Sequence, residues 1–224
     1  MIPKKYLNEI KNNLKNYETT QAFLFIKLSN FALNEEKLAN AVYKQIGDIA
    51  LSLYYLVGQP SENGVASMLI TKDMIEHWGI GEDTVIYNAM LNTLNLFPPR
   101  SILIEKLLYN PEYQGDDFMT SGFSERKNRY RSGFAVSNTL KLNGAATIFL
   151  PGVAKRLADL LGCNFYVVFT SIHEAMVHCE GTVDPEMIRD CAVETAYSVG
   201  DKHEFLSIYA FYYDAVTDSF TIAV

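Results

Sequence analysis

The sequence has few cysteines and no long apolar run, and both shortages exclude whole classes of protein. Its three cysteines, Cys163, Cys179 and Cys191, form no Cys-x-x-Cys pair, which argues against a disulfide scaffold or a zinc ribbon. We therefore expect reduced, buried thiols. No segment approaches the ~18 apolar residues of a membrane-spanning helix, and the first residues lack the apolar core of a signal peptide. A cytoplasmic protein without membrane contacts is predicted.

Positive charge is also scarce, because 19 Lys and Arg residues stand against 26 Asp and Glu residues, a formal net charge of −7. General nucleic-acid binding needs a basic surface for phosphates and is therefore disfavoured. The exception is the segment 110–132, which carries the cations Arg126, Lys127, Arg129 and Arg131. They indicate either a binding site for an anionic ligand or nucleic acid, or a solvated loop that balances an acidic body.

What the sequence does have is the composition of a folded globule, with 49% hydrophobic and 12% aromatic residues. Its clearest pattern begins with the apolar run Gly144–Leu150, which predicts a buried strand. Helical spacing from Val153 to Leu161 predicts an amphipathic helix that ends at Gly162 in a left-handed cap. The aromatic and β-branched run Phe165–Phe169 predicts a second strand.

Further elements are predicted on both sides of this segment. The segment 48–57 is apolar on both faces, and its periodicity leaves a buried strand and a helix open. The other predicted strands cover 22–28, 65–70, 206–213 and 219–224, and the other predicted helices cover 82–94 and a segment opened by Asp184 and Pro185. Together these elements predict an α+β fold of mixed, mostly antiparallel sheets with packed helices.

The irregular segment 110–132 separates an N-terminal part, 1–109, from a C-terminal part, 133–224, and we expect one compact unit. The stretches 63–70 and 143–150 resemble each other, since both begin with Asn-Gly and continue with small and apolar residues. This similarity predicts two related strand–helix halves. The alternative is that Asn-Gly is a favoured hairpin turn before a strand.

A compact run of polar side chains follows the second strand, and with Asn143 it forms the candidate binding site. The run is Ser171-Ile172-His173-Glu174. His173 and His178 are five residues apart, about 140° around a helix, so they do not form the zinc pair of metalloprotease helices. Walker, dinucleotide-binding and EF-hand motifs are also missing from the sequence. No metal and no cofactor is predicted.

The same run permits a catalytic and a structural interpretation. On a strand, Ser171 and His173 would point to one face about 6.6 Å apart, so a hydrolase could use His173 with Ser171 or with Glu174. Against this, the sequence shows no orienting carboxylate and no Gly-x-Ser-x-Gly elbow. The structural interpretation is that His173 and Glu174 hydrogen-bond to backbone groups where the strand turns.

Blocks along most of the chain carry a family resemblance. They are Trp78-Gly79-Ile80, Asn92-Thr93, Phe97-Pro98-Pro99, Asn143-Gly144-Ala145-Ala146, Ser171-Ile172-His173-Glu174, Leu206-Ser207 and Tyr213-Asp214. In this order and spacing they resemble the gut-bacterial domain-of-unknown-function family 5688. The resemblance implies a protein encoded among the genes of mobile elements and implies no reaction.

The leading functional hypothesis is a non-catalytic binding or accessory protein of a bacterial mobile element that acts through contacts with a protein partner. The acidic composition and the lack of a catalytic constellation favour it. The alternatives are the hydrolase that uses His173 and the anionic-ligand or nucleic-acid site over Arg126–Arg131. The sequence leaves the oligomeric state open.

Overall fold

The computed structural model describes residues 10, 12–60, 64–120, 133–199 and 201–224. In this part of the chain, ten strands form two sheets with helices packed against them, so the predicted α+β class is confirmed. Every pairing between these strands is antiparallel.

The elements alternate along the chain. The strands are β1 Leu24–Asn30, β2 Tyr43–Ile46, β3 Ile49–Leu56, β4 Ser67–Leu69, β5 Pro99–Ile102, β6 Phe134–Asn138, β7 Phe165–Phe169, β8 Ala175–Cys179, β9 Phe211–Asp214 and β10 Ser219–Ile222. The α-helices are α1 Tyr17–Thr20, α2 Glu35–Leu38, α3 Lys72–Ile75, α4 Glu82–Leu96, α5 Ile104–Tyr109, α6 Val153–Leu161 and α7 Pro185–Val199. Short 3-10 helices cover Gln21–Phe23, Ala32–Asn34, Glu76–Trp78, Gly144–Phe149 and Lys202–Glu204.

The first sheet has four strands centred on β3. Strand β1 pairs along one side of β3, and β2 and β4 pair end to end along its other side. The second sheet has six strands in the order β10-β9-β7-β8-β6-β5. Strands β2 and β10 are therefore edge strands among the described residues, and this position matters for the candidate site.

The segment 48–57, for which periodicity left both a strand and a helix open, contains strand β3. Almost all its residues are buried, on both faces of the sheet. A strand covered on both sides loses the alternation that would identify it.

The helix predictions over 82–94 and 153–161 are confirmed. In α4 the predicted inner face, from Val85 to Thr93, is buried. Helix α6 ends at Gly162, whose φ of 72° is the left-handed cap that the sequence indicated. Both helices show clear apolar spacing, which is the most reliable pattern in a sequence.

Gly144–Leu150, predicted as a buried strand, is instead a 3-10 helix over Gly144–Phe149 in which every residue is buried. Asn143 precedes it with a φ of 51° in the left-handed region, which asparagine tolerates better than most residues. An apolar run of this length has the same pattern in a buried helix as in a buried strand. The sequence prediction was therefore wrong for this element.

The two stretches that resemble each other in sequence fold differently. Ser67–Leu69 is strand β4, whereas the matching part of the second stretch lies in the 3-10 helix Gly144–Phe149. Their similarity therefore does not extend to their secondary structure.

One large hydrophobic cluster contains buried residues from both sheets, such as Leu53 of β3 and Val167 of β7. Ile148 and Phe149 of the 3-10 helix belong to the same cluster. Residues before and after the segment 110–132 thus share a core. A smaller cluster packs α7 on the second sheet through Ile188, Ala192 and Val168.

Candidate functional site

The polar run Ser171–Glu174 lies in the connection between β7 and β8, not on a strand. The backbone N–H of His173 donates to Ser171 Oγ at 3.0 Å. Its carbonyl accepts a hydrogen bond of 2.8 Å from the hydroxyl of Ser137, on β6. This hydrogen bond ties the turn between β7 and β8 to β6, the strand next to β8 in the sheet.

Both ring nitrogens of His173 have partners. The backbone N–H of Asn143 donates to Nδ1 at 3.2 Å, so the neutral ring carries its proton on Nε2. Nε2 lies 3.0 Å from Glu204 Oε1 and donates to that carboxylate. In this tautomer Nδ1 is the nitrogen that could accept a proton as a general base, but it already accepts the hydrogen bond from the backbone N–H of Asn143.

The carboxylate of Glu174 is held by two neighbouring hydroxyls. Thr170 Oγ1 donates to Oε1 at 2.5 Å, and Ser171 Oγ donates to the same oxygen at 3.0 Å. The Ser171 hydroxyl points its proton at a carboxylate, and within the described residues no hydrogen bond joins it to the His173 ring. This arrangement does not activate Ser171 as a nucleophile.

The structure brings four of the eight predicted binding residues together, namely Asn143, Ser171, His173 and Glu174. The other four, Arg126, Lys127, Arg129 and Arg131, lie outside the described residues.

Glu204 and Ser137 were missed by the sequence analysis. They lie 31 and 36 residues from His173, and only the tertiary fold brings them to it. No pattern in the sequence connects them with His173.

A separate cleft of about 520 Å³ opens between the two sheets. It is lined by β2 and its turn, from Lys44 to Gly47, and by Asp218, Ser219 and Phe220 at the start of β10. The 3-10 helix contributes Ile148 and Phe149 to its lining. The volume is in the range of sites that bind small molecules or peptide side chains. We call it the edge cleft, because edge strands of both sheets line it.

Gly47, which lines the edge cleft, makes a tight contact between the two sheets. Gly47, with a φ of 59°, lies in the turn after β2. A Cβ at this position would lie 2.8 Å from Cε1 of Phe211 and 3.3 Å from Cδ1 of Ile222. Only glycine allows the turn of the first sheet to approach β9 and β10 so closely.

Tyr213 and Asp218 form the polar contact in the edge cleft. The Tyr213 hydroxyl donates to Asp218 Oδ1 at 2.5 Å, and Asp218 adopts a φ of 49°. Burial raises the pKa of Tyr213 well above its ordinary range, and the hydrogen bond to Asp218 and the negative charge of that carboxylate raise it further. The phenol therefore stays protonated and holds Asp218 in place.

Replacing Tyr213 by phenylalanine is expected to cost about 2 kcal/mol at neutral pH, because the lost hydrogen bond is made to a charged carboxylate. The folded protein binds the phenolic proton more tightly than the unfolded chain, so this contribution is complete below the unfolded pKa of about 10 and is lost as the pH rises above it. Urea denaturation of both proteins across the alkaline range checks this. The exposed Tyr109 provides the control Tyr109→Phe. A stability difference independent of pH would contradict the prediction.

The described residues contain no group of three or more His, Cys, Asp or Glu side chains placed to hold a metal ion. Within the same residues, none of the helices has the length and apolar character needed to cross a membrane. Cys179 is buried and Cys163 partly so, whereas Cys191 is exposed. The expectation of buried thiols was thus wrong for Cys191, which lies on the solvent side of α7.

Comparison with known proteins identifies the family but no characterised relative. A search of curated proteins and a search of solved structures each find no match to the chain. A family model does match, over residues 4–215, and it is described as a family of unknown function, DUF5688. This agrees with the resemblance in the sequence. Because the match spans nearly all 224 residues, the chain belongs to the DUF5688 family.

Proposed function

We propose that this protein is a non-catalytic binding protein that takes an extended segment of a partner protein into the edge cleft. The observation that carries the proposal is the position of β2 and β10, two edge strands that line one cleft of about 520 Å³. An edge strand presents unpaired backbone N–H and C=O groups. An extended peptide satisfies such groups by adding a strand.

The free backbone groups of β2 follow from its register. Ile46 pairs with Ile49 around a two-residue turn, and Gln45 pairs with Ala50. In such a hairpin the pair next to the turn is hydrogen-bonded and the following pair is not. The N–H and C=O of Gln45 therefore point away from β3, toward the position of an added strand.

Side chains of the cleft supply selectivity. Ile148, Phe149 and Phe220 give it apolar lining, whereas Lys44 of β2 and Asp218 before β10 give it one charge of each sign. Alternate residues of an extended segment point in opposite directions. A segment fits this lining when an apolar residue points toward the cleft and the residue two positions away on each side, which points the same way, can pair with Lys44 or Asp218.

The contacts of His173 support a non-catalytic role. Its Nδ1 is occupied by a backbone amide and its Nε2 by Glu204, and the Ser171 hydroxyl donates to Glu174. These hydrogen bonds favour a structural role over the hydrolase alternative. An accessory role in a bacterial mobile element, which the family resemblance implies, is part of this proposal, and the partner would then be a protein of the element or its host.

To test this, a library of displayed random peptides is selected for binding to the full chain. The binding of the enriched peptides is then compared between the wild type and two variants at position 45. Gln45→Pro removes the outward N–H of β2, and proline is tolerated on edge strands. Gln45→Ala keeps that N–H and, like the proline variant, loses the side-chain hydrogen bond to the Gly47 carbonyl. We expect enriched peptides to bind the wild type and Gln45→Ala alike, and to bind Gln45→Pro at least about tenfold more weakly, the effect of about one lost backbone hydrogen bond.

Two results would contradict the proposal. One is the absence of any enriched peptide, and the other is equal binding to all three proteins. Circular dichroism of Gln45→Pro verifies that the loss of binding does not come from unfolding.

A further inference from the structure

The outer face of the first sheet carries a polar row that the edge cleft does not include. Lys27 of β1 lies opposite Ser52 of β3, and Tyr43 of β2 lies opposite Ser52 on its other side. Residues directly opposite each other in a sheet point to the same face. The three side chains therefore form one row across the sheet, with Tyr54 two residues along β3 on the same face.

Two lysines converge on this row. The Nζ of Lys27 lies 5.1 Å from the centre of the Tyr54 ring and 5.7 Å from that of Phe25. The Nζ of Lys37, from α2, lies 5.6 Å from the same Tyr54 ring. Within the described residues neither lysine forms an ion pair. Ring contacts offset only part of the cost of bringing two ammonium groups together.

Burial makes this arrangement more costly for Lys27. Desolvation lowers the pKa of Lys27, and the positive charge of Lys37 lowers it further. In a chain with a net charge of −7, two cations that form no ion pair within the described residues differ from the general charge balance. An anion bound between them would remove the repulsion and favour the charged form of Lys27.

Ser52 provides an independent observation at the same place. Its side chain is 1% exposed, and its Oγ has no hydrogen-bond partner in the described part of the chain. Buried hydroxyls are nearly always satisfied, and an unpaired one points to a missing partner. A ligand oxygen on this row would accept the hydroxyl proton of Ser52.

Along the strand direction, an apolar cluster lies on each side of the row. Phe25, Leu56 and Phe97 form one cluster, with Tyr54 packed against it. On the other side lies a cluster of Leu38, Ala41 and Ala50, with Tyr43 packed against it. A ligand on the row would thus meet cations and a hydroxyl at its centre and apolar groups on either side.

We propose that Lys27, Lys37 and Ser52 form a binding site for a phosphate group. Three donors from different elements suit a tetrahedral phosphate, which offers more acceptor oxygens than a carboxylate, and lysine binds phosphate as a point charge. The Lys27 side chain is long and flexible, so it can turn toward the ligand and open the row to Ser52. The site takes free phosphate or the phosphate of an organic monoester.

Calorimetric titration of the full chain tests the site with two ligands, inorganic phosphate and phenyl phosphate, at constant ionic strength. We expect the wild type to bind at least one of them in the millimolar range or tighter. Lys27→Met and Lys37→Met should each weaken binding by about tenfold, since a hydrogen bond to a charged group is lost in each. Lys72, an exposed lysine of α3, gives the control Lys72→Met, which should bind as the wild type does.

The two ligands identify the source of the phosphate. Tighter binding of phenyl phosphate indicates an organic monoester that uses the flanking apolar clusters, and equal binding indicates free phosphate. Ser52→Ala should leave the fold intact, because its hydroxyl has no hydrogen-bond partner among the described residues, and should weaken phosphate binding. No binding of either ligand to the wild type, or equal loss in Lys37→Met and Lys72→Met, would overturn the proposal.

Discussion

Replacing Gly144 by alanine is expected to destabilise the fold by about 3 kcal/mol or more. An added Cβ would overlap Ser137 Oγ, and it would lie 2.5 Å from the carbonyl oxygen of His173 and 2.9 Å from Ser137 Cα. Two of these three neighbours are backbone atoms, which cannot rotate away. The substitution also breaks the hydrogen bond from Ser137 to His173. Overpacking of a rigid core and loss of a buried hydrogen bond each contribute 1–3 kcal/mol.

Urea denaturation of Gly144→Ala measures the effect. The matched control is Gly58→Ala, because a Cβ there meets no atom within 4 Å, and we expect its stability to change by less than about 1 kcal/mol. Similar free energies of unfolding for the two variants would show that Ser137 and the His173 turn do not constrain position 144.

Replacing Asp48 by alanine is expected to cost about 3 kcal/mol, because this carboxylate joins a turn of the first sheet to the segment that leads into β9 of the second sheet. It lies in the turn between β2 and β3, and Ser207 Oγ donates to its Oδ1 at 2.6 Å. Asn30 Nδ2 and the backbone N–H of Ile208 donate to its Oδ2 at 3.3 and 3.4 Å. Removing it leaves the hydroxyl of Ser207, 2% exposed, without this acceptor. Hydrogen bonds to charged groups contribute about 1.5–3 kcal/mol each.

Urea denaturation of Asp48→Ala measures this loss, and Asp73→Ala is the control. Asp73 accepts one exposed hydrogen bond of 2.8 Å from Asn40, so its loss should cost no more than about 0.5 kcal/mol. If both aspartate variants lose equal stability, the contact between the sheets does not depend on Asp48.

Gly144 and Asp48 also affect the shape of the edge cleft. Asp48 follows Gly47, and the pair forms the turn that approaches Phe211 and Ile222. Phe149, at the end of the 3-10 helix that Gly144 opens, lines the cleft. The cleft walls belong to different sheets, so its shape depends on the contacts that hold the sheets together.

The sequence predicted the elements whose pattern is local. The inner face of α4, the cap at Gly162 and the strand Phe165–Phe169 follow from apolar spacing and from the conformational freedom of glycine, and all three occur as predicted. The helix opened by Asp184 and Pro185 is also present, and Asp184 Oδ1 accepts from the N–H of Glu186. Such features depend on a few neighbouring residues.

The predictions that failed concern segments whose conformation is decided by distant partners. The strand predicted over 206–213 begins only at Phe211. Before it, the Leu206 carbonyl accepts from Asn30 and Ser207 donates to Asp48, and these bonds replace strand pairing. In the candidate site, the sequence identified Asn143, Ser171, His173 and Glu174, but the partner Glu204 was not visible in any local pattern.

By itself the sequence determined the α+β class, the amphipathic helices and the glycine cap at Gly162, because periodicity and cap chemistry act over a few residues. Only the tertiary structure decided that Gly144–Phe149 is a 3-10 helix, that both nitrogens of His173 are occupied, and that two sheet edges face one cleft. Each of these depends on residues far apart in the chain, and their meeting depends on the packing of the whole core, which no short pattern encodes.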